Sequence, residues 1–157
     1  MRLVLAVAVL AAIAPDALAQ SACKVENAVY AERDNDYELH FHKGKPWEFR
    51  GMTDVVFDVV VPDGRKLWGN ISSNMGTSRD VGSIFHGCSS PTDDADLLTD
   101  EEYDACRQWE GVVYALNQGE PDFMRCEGAK APERILMTDL GRKTRYSDAV
   151  TGPGEEP

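Results

Sequence analysis

The chain has 157 residues, with 27 acidic against 16 basic side chains for a formal charge of -11, and 43% of it is hydrophobic. That length suits a single apolar core of ordinary domain size. A surface this acidic repels nucleic-acid phosphates and anionic headgroups, so it argues against nucleic acid and suits a cationic partner or plain solubility.

Residues 1–19 read as an export signal. Met1-Arg2 opens it, an apolar run follows from Leu3 to Ala14, Pro15-Asp16 breaks the run, and Ala17-Leu18-Ala19 offers a small-x-small cleavage site. The run is too short to span a bilayer as a helix of about 20 residues. The working protein is therefore expected to begin near Gln20, in the periplasm or outside the cell. Residues 20–150 are read as one globular domain and 151–157 as a disordered tail rich in Gly, Pro and Glu. An even count of four cysteines in an exported chain points to two disulfides, and the spacings match no Cys-x-x-Cys redox or zinc pattern.

In chain order, Val25 to Ala31 shows a weak period-2 alternation, and Tyr37, Leu39 and Phe41 alternate with Glu38, His40 and His42. Both read as strands with one buried and one wet face, joined through Asp34-Asn35-Asp36 as a hairpin. Asp54 to Val61 is almost continuously apolar and β-branched. Pro62-Asp63-Gly64-Arg65 then predicts a tight reversal into a strand over Lys66 to Ser73. Val81 to His86 gives a fifth strand.

Thr99-Asp100-Glu101-Glu102 matches a capping box and predicts a helix start. Tyr103, Cys106, Trp109, Val113 and Leu116 recur at helical spacing, and Gly119 with Pro121 gives a stop. One helix over this span is the preferred reading, with a break at Gly111 and a strand over Val112 to Asn117 as the alternative. Four cysteines allow three connectivities. Such a helix rises about 18 Å beyond Cys106 and an extended return to Cys126 covers a comparable distance, so Cys106–Cys126 is feasible and, with Cys23–Cys88, is the preferred pairing. Arg134 to Met137 reads as a last strand, with Thr138 or Asp139 capping a short helical turn.

Three clusters carry candidate chemistry. His40 and His42, two apart on one strand, can converge on a zinc or copper ion with Glu38 as a third ligand. Lys45, Trp47, Phe49 and Arg50 form the one local cationic-aromatic segment in an acidic chain, suited to stacking on a ligand or partner. Asp93, Asp94, Asp96 and Asp100 fail an EF-hand register and read as a solvated loop beside a helix start. Neither a Gly-x-Ser-x-Gly elbow nor His-Glu-x-x-His occurs, so no catalytic residue is assigned and no cofactor is called.

The expected fold is α+β: a mainly antiparallel sheet of about five strands, one principal helix packed on one face, and disulfide stabilisation. The expected function is an exported, non-catalytic binding protein of the bacterial envelope, taking a protein or small ligand, with periplasmic metal binding through His40 and His42 as the alternative.

Overall fold

The computed structural model describes residues 23–34, 36–49, 52–73, 78–88, 90 and 98–151. Residues 1–19, read above as an export signal, lie outside them, as do Arg50, most of the aspartate-rich loop and all of the expected 151–157 tail except Thr151.

At Pro62-Asp63-Gly64 the chain reverses as its turn chemistry predicts. Gly64 takes a φ of +86° and donates its N–H to the Val61 carbonyl at 2.8 Å. The Asp63 carboxylate accepts from the Arg65 backbone N–H at 2.9 Å and from its guanidinium at 2.6 Å. These two bonds hold its pKa below the ordinary carboxyl value. The turn joins β3 (Thr53–Val60) to β4 (Lys66–Ser72), paired antiparallel from Val60↔Lys66 to Thr53↔Ser72.

The remaining strands extend this hairpin into a meander. They are β1 (Val29–Ala31), β2 (Glu38–His42), β5 (Val81–Phe85), β6 (Arg107–Asn117) and β7 (Glu120–Asp122), and each pairs antiparallel with the next. β8 (Arg134–Met137) also pairs with β6. Alternate residues point to a common core. Phe41, Val55, Phe57, Val59, Leu67, Ile71, Ile84, Trp109, Val113 and Ala115 are buried in one hydrophobic cluster. Two strand glycines make room for its largest member: a Cβ on Gly82 or Gly111 would stand 2.9 or 2.6 Å from the Trp109 ring. The indole N–H donates to the Thr138 carbonyl at 3.1 Å, so the ring is buried with its polar atom satisfied.

Mainly antiparallel sheet is what the sequence predicts, but the strands number eight among the described residues rather than about five. The principal helix is the larger correction. Thr99 does cap α1 (Asp100–Cys106), its hydroxyl accepting from the Glu102 N–H at 3.3 Å while the Glu102 carboxylate accepts from the Thr99 N–H at 2.7 Å. The helix ends after seven residues, and Arg107 onward is strand. Trp109, Val113 and Ala115 face the core at intervals that fit a period of two, and Val112, Val113 and Tyr114 are types that favour a pleated surface. The stop read at Gly119 is a two-residue hairpin turn: Gln118 and Gly119 have φ of 53° and 87°, and Asn117 pairs with Glu120.

Without the long helix, the expected disulfide geometry disappears. Pairing of β5 with β6 brings Phe85 opposite Arg107, the His86 N–H donates to the Cys106 carbonyl at 2.9 Å, and Cys88 is bonded to Cys106 with Cα atoms 5.8 Å apart. This replaces the expected Cys106–Cys126 and Cys23–Cys88 pairs. Cys23 and Cys126 are exposed thiols.

The two ends of the sheet meet along a seam. Lys24 bridges Lys130, the Val25 N–H donates to Ala129 at 2.9 Å, and the Ala131 N–H donates to Cys23 at 2.8 Å. Tyr30 on β1 adds its hydroxyl, which donates to the Pro132 carbonyl at 2.8 Å. Two short helices, α2 (Leu140–Thr144) and α3 (Asp148–Thr151), follow β8. No helix among the described residues is long and apolar enough to cross a membrane.

Candidate functional site

The face of the sheet opposite the core carries the polar halves of the same alternations. Strand register sets two rows across it. One runs His40, Asp58, Trp68, Phe85, Arg107; the other runs His42, Val56, Asn70, Ser83, Glu110. Two covering segments rise from this face. A 3₁₀ turn at Pro46–Glu48 brings Trp47 and Glu48 over one side, and α1 brings Asp100, Tyr103 and Asp104 over the other. Between them lies a groove of about 720 Å³. That volume falls in the range of small-ligand sites.

Aromatic packing fixes the α1 side. Trp68 and Phe85, direct cross-strand partners, stack with ring centroids 4.2 Å apart, and Tyr103 meets both edge-on at 6.0 and 5.4 Å. The Trp68 indole N–H donates to the Cys88 carbonyl at 2.9 Å. The disulfide therefore holds the loop that orients the tryptophan and also the end of the helix that carries Tyr103.

The groove is acidic. Glu48, Asp58, Asp100 and Asp104 line it against one guanidinium, Arg107, and one imidazole, His42. Arg107 is already paired with Asp104 and, at 2.7 Å, with Glu110. Asp58 lies 3.5 Å from Lys66 and 3.9 Å from His42. Glu48 accepts from the Lys45 backbone N–H at 2.7 Å, and Ser90 reaches its other oxygen at 3.5 Å. These contacts leave the groove carboxylates in excess over the cations around them.

The residues singled out in the sequence fall partly at this site. Trp47 lines the groove, half-buried, with the Lys45 ammonium 5.5 Å from its ring centroid. Phe49 is half-buried and packs over Gly44. Arg50 is outside the described residues. His42 lines the groove, whereas His40 bonds Glu38 through Nε2 at 2.6 Å. Among the described residues, no three His, Cys, Asp or Glu side chains are grouped to hold a metal ion. Sequence reasoning missed Trp68, Asn70, Ser83, Phe85 and Tyr103. The signal for Trp68 and Asn70 was legible as the wet half of the Lys66 to Ser72 alternation, where a tryptophan on a polar face needs a cover.

No protein-family profile, curated protein or solved structure matches the chain. Any reading of the groove therefore rests on its own chemistry.

Proposed function

We propose that this is an exported, non-catalytic binding protein of the bacterial envelope, which takes a cationic partner, a protein or a small ligand, in the groove between the Pro46–Glu48 turn and α1. The observation that carries the reading is the groove itself: about 720 Å³ on the polar sheet face, edged by aromatic rings and lined by four carboxylates. Aromatic faces and carboxylates together attract ammonium and guanidinium groups. The chain's charge of -11 favours such a partner at longer range.

The non-catalytic part of the reading rests on residue chemistry. The sequence has no nucleophile elbow, and Cys88 is consumed in a disulfide. Export is supported by the leader-like residues 1–19 and is compatible with the disulfide.

The test is comparative capture from envelope extract, using the protein and an Asn70→Trp variant designed to fill the groove floor. Circular dichroism and melting establish that the variant folds. A stoichiometric basic partner held by the native protein and lost from the variant supports the reading.

A further inference from the structure

Cys23 and Cys126 sit on the two sides of the seam that joins the ends of the sheet. We propose that they form a second disulfide, which closes the seam covalently. This goes beyond the groove and its partner, and it rests only on the export part of that reading, because the bond needs an oxidising compartment.

Three observations carry it. Cys88 and Cys106 are already bonded, so Cys23 and Cys126 are each other's only remaining partner within the chain. Both thiols are exposed, and so open to an oxidant. Their segments are also already paired. Cys23 accepts from the Ala131 N–H at 2.8 Å and Lys24 bridges Lys130, while Cys126 heads the turn whose Ala129 N–H donates back to its carbonyl at 3.2 Å. Side-chain contacts hold the same turn in place: Gly128 donates to the Glu26 carboxylate at 2.8 Å, and Glu127 accepts from the Gly44 N–H. A disulfide asks for Cα atoms about 4.4–6.8 Å apart, so oxidation draws the Cys126 turn against the end of the Cys23 segment.

The oxidant is a disulfide, either of a thiol–disulfide oxidoreductase or of a small molecule such as oxidised glutathione. One cysteine thiolate attacks a sulfur of that disulfide, giving a mixed disulfide and releasing one thiol. The second thiolate then attacks the protein sulfur of the mixed disulfide, forming the Cys23–Cys126 bond and releasing the second thiol. Two protein thiols are oxidised, one disulfide is reduced to two thiols, and the two protons leave on those thiols.

Protein expressed from the full chain in an oxidising envelope is alkylated without reductant and mapped by non-reducing peptide mass spectrometry. The expected result is a Cys23 peptide linked to a Cys126 peptide beside the Cys88–Cys106 link. Alkylation of both Cys23 and Cys126, while Cys88–Cys106 stays intact even after incubation with oxidised glutathione, would overturn the proposal. So would a lipid on Cys23. Melting of Cys23→Ser, Cys126→Ser and the double variant gives a second reading. Closure of a loop of about a hundred residues predicts that each single variant melts on the order of 10 °C lower, with no further loss in the double. Losses that add across the two sites contradict the bond.

Discussion

Trp68 donates its indole N–H to the carbonyl of Cys88 at 2.9 Å, and Cys88 is bonded through sulfur to Cys106 at the junction of α1 and β6. One disulfide thus fixes the tryptophan, the helix carrying Tyr103 and the start of the longest strand. Replacing Cys88 and Cys106 together by Ala is expected to cost about 3 kcal/mol, the scale for closing a loop of this length. The groove should loosen as well as the fold. Chemical unfolding measures the first effect, and a shift of tryptophan emission under native conditions, absent from a Trp68→Phe background, measures the second.

Asp80 supplies a pH test of the packing around Met124. It is 3% exposed, and its Oδ2 accepts from the Met124 N–H at 2.6 Å. Burial raises its pKa above 3.8, helped by Asp54 and opposed by the Met124 N–H and by Arg79 and Arg125. With the folded value above the unfolded one, the neutral form is the one folding favours. Its contribution is full below the unfolded value and is lost as pH rises through the folded one. Asp122, Asp63, Glu102 and Asp139 have lowered values and act in the opposite direction. The difference between native protein and Asp80→Asn isolates the effect: Asp80→Asn should gain relative stability as pH rises from about 4 toward neutrality. Urea unfolding at a series of pH values checks it, and a constant difference across that range would exclude the burial argument.

At the seam, burial pushes the Tyr30 phenol up to about 12, from an ordinary 10.0. The phenol must stay protonated to donate to Pro132. Stability from this group is therefore present below pH 10 and lost as pH rises toward 12. Tyr30→Phe should remove that part of the alkaline loss. Ultraviolet titration of the phenols, native against variant, should show one late-ionising group missing from the variant.

Trp47 separates recognition from packing. It is half-buried at the groove edge rather than in the core. Trp47→Ala is expected to weaken partner binding by about 2 kcal/mol or more, as loss of an aromatic anchor does. The stability loss should fall short of the roughly 3–5 kcal/mol typical of core aromatics. Melting and affinity measured on the same variant decide it. A full core-sized loss of stability with unchanged affinity would assign Trp47 to structure.

Legibility in the sequence followed how local the determining physics was. The Pro62-Asp63-Gly64 turn, the Thr99/Glu102 box and the Arg134–Met137 strand were readable because each is set by neighbours in the chain. Residues 107–117 were not. Trp109 and Val113 are four apart, which suits a helix face and equally one side of a strand, and Gly119 serves a helix stop or a hairpin turn alike. The choice was made by long-range pairing of β6 with β5, β7 and β8. The same cause hid the groove, since Trp68, Phe85 and Tyr103 meet only after three segments far apart in sequence are in register. The disulfide pairing is illegible for the same reason: Cys106 meets Cys88 only once the chain beyond Cys106 pairs as a strand with β5.

The central claim is that the acidic groove is where a cationic partner sits. Its most direct test is hydrogen–deuterium exchange on the protein with and without the basic partner captured from envelope extract, beside the groove-filling Asn70→Trp variant. The account predicts protection at Trp47–Glu48, along β4 and β5, and over α1, with neither capture nor protection in the folded variant. Protection mapping to the far side of the sheet, or equal capture by native protein and variant, would contradict it.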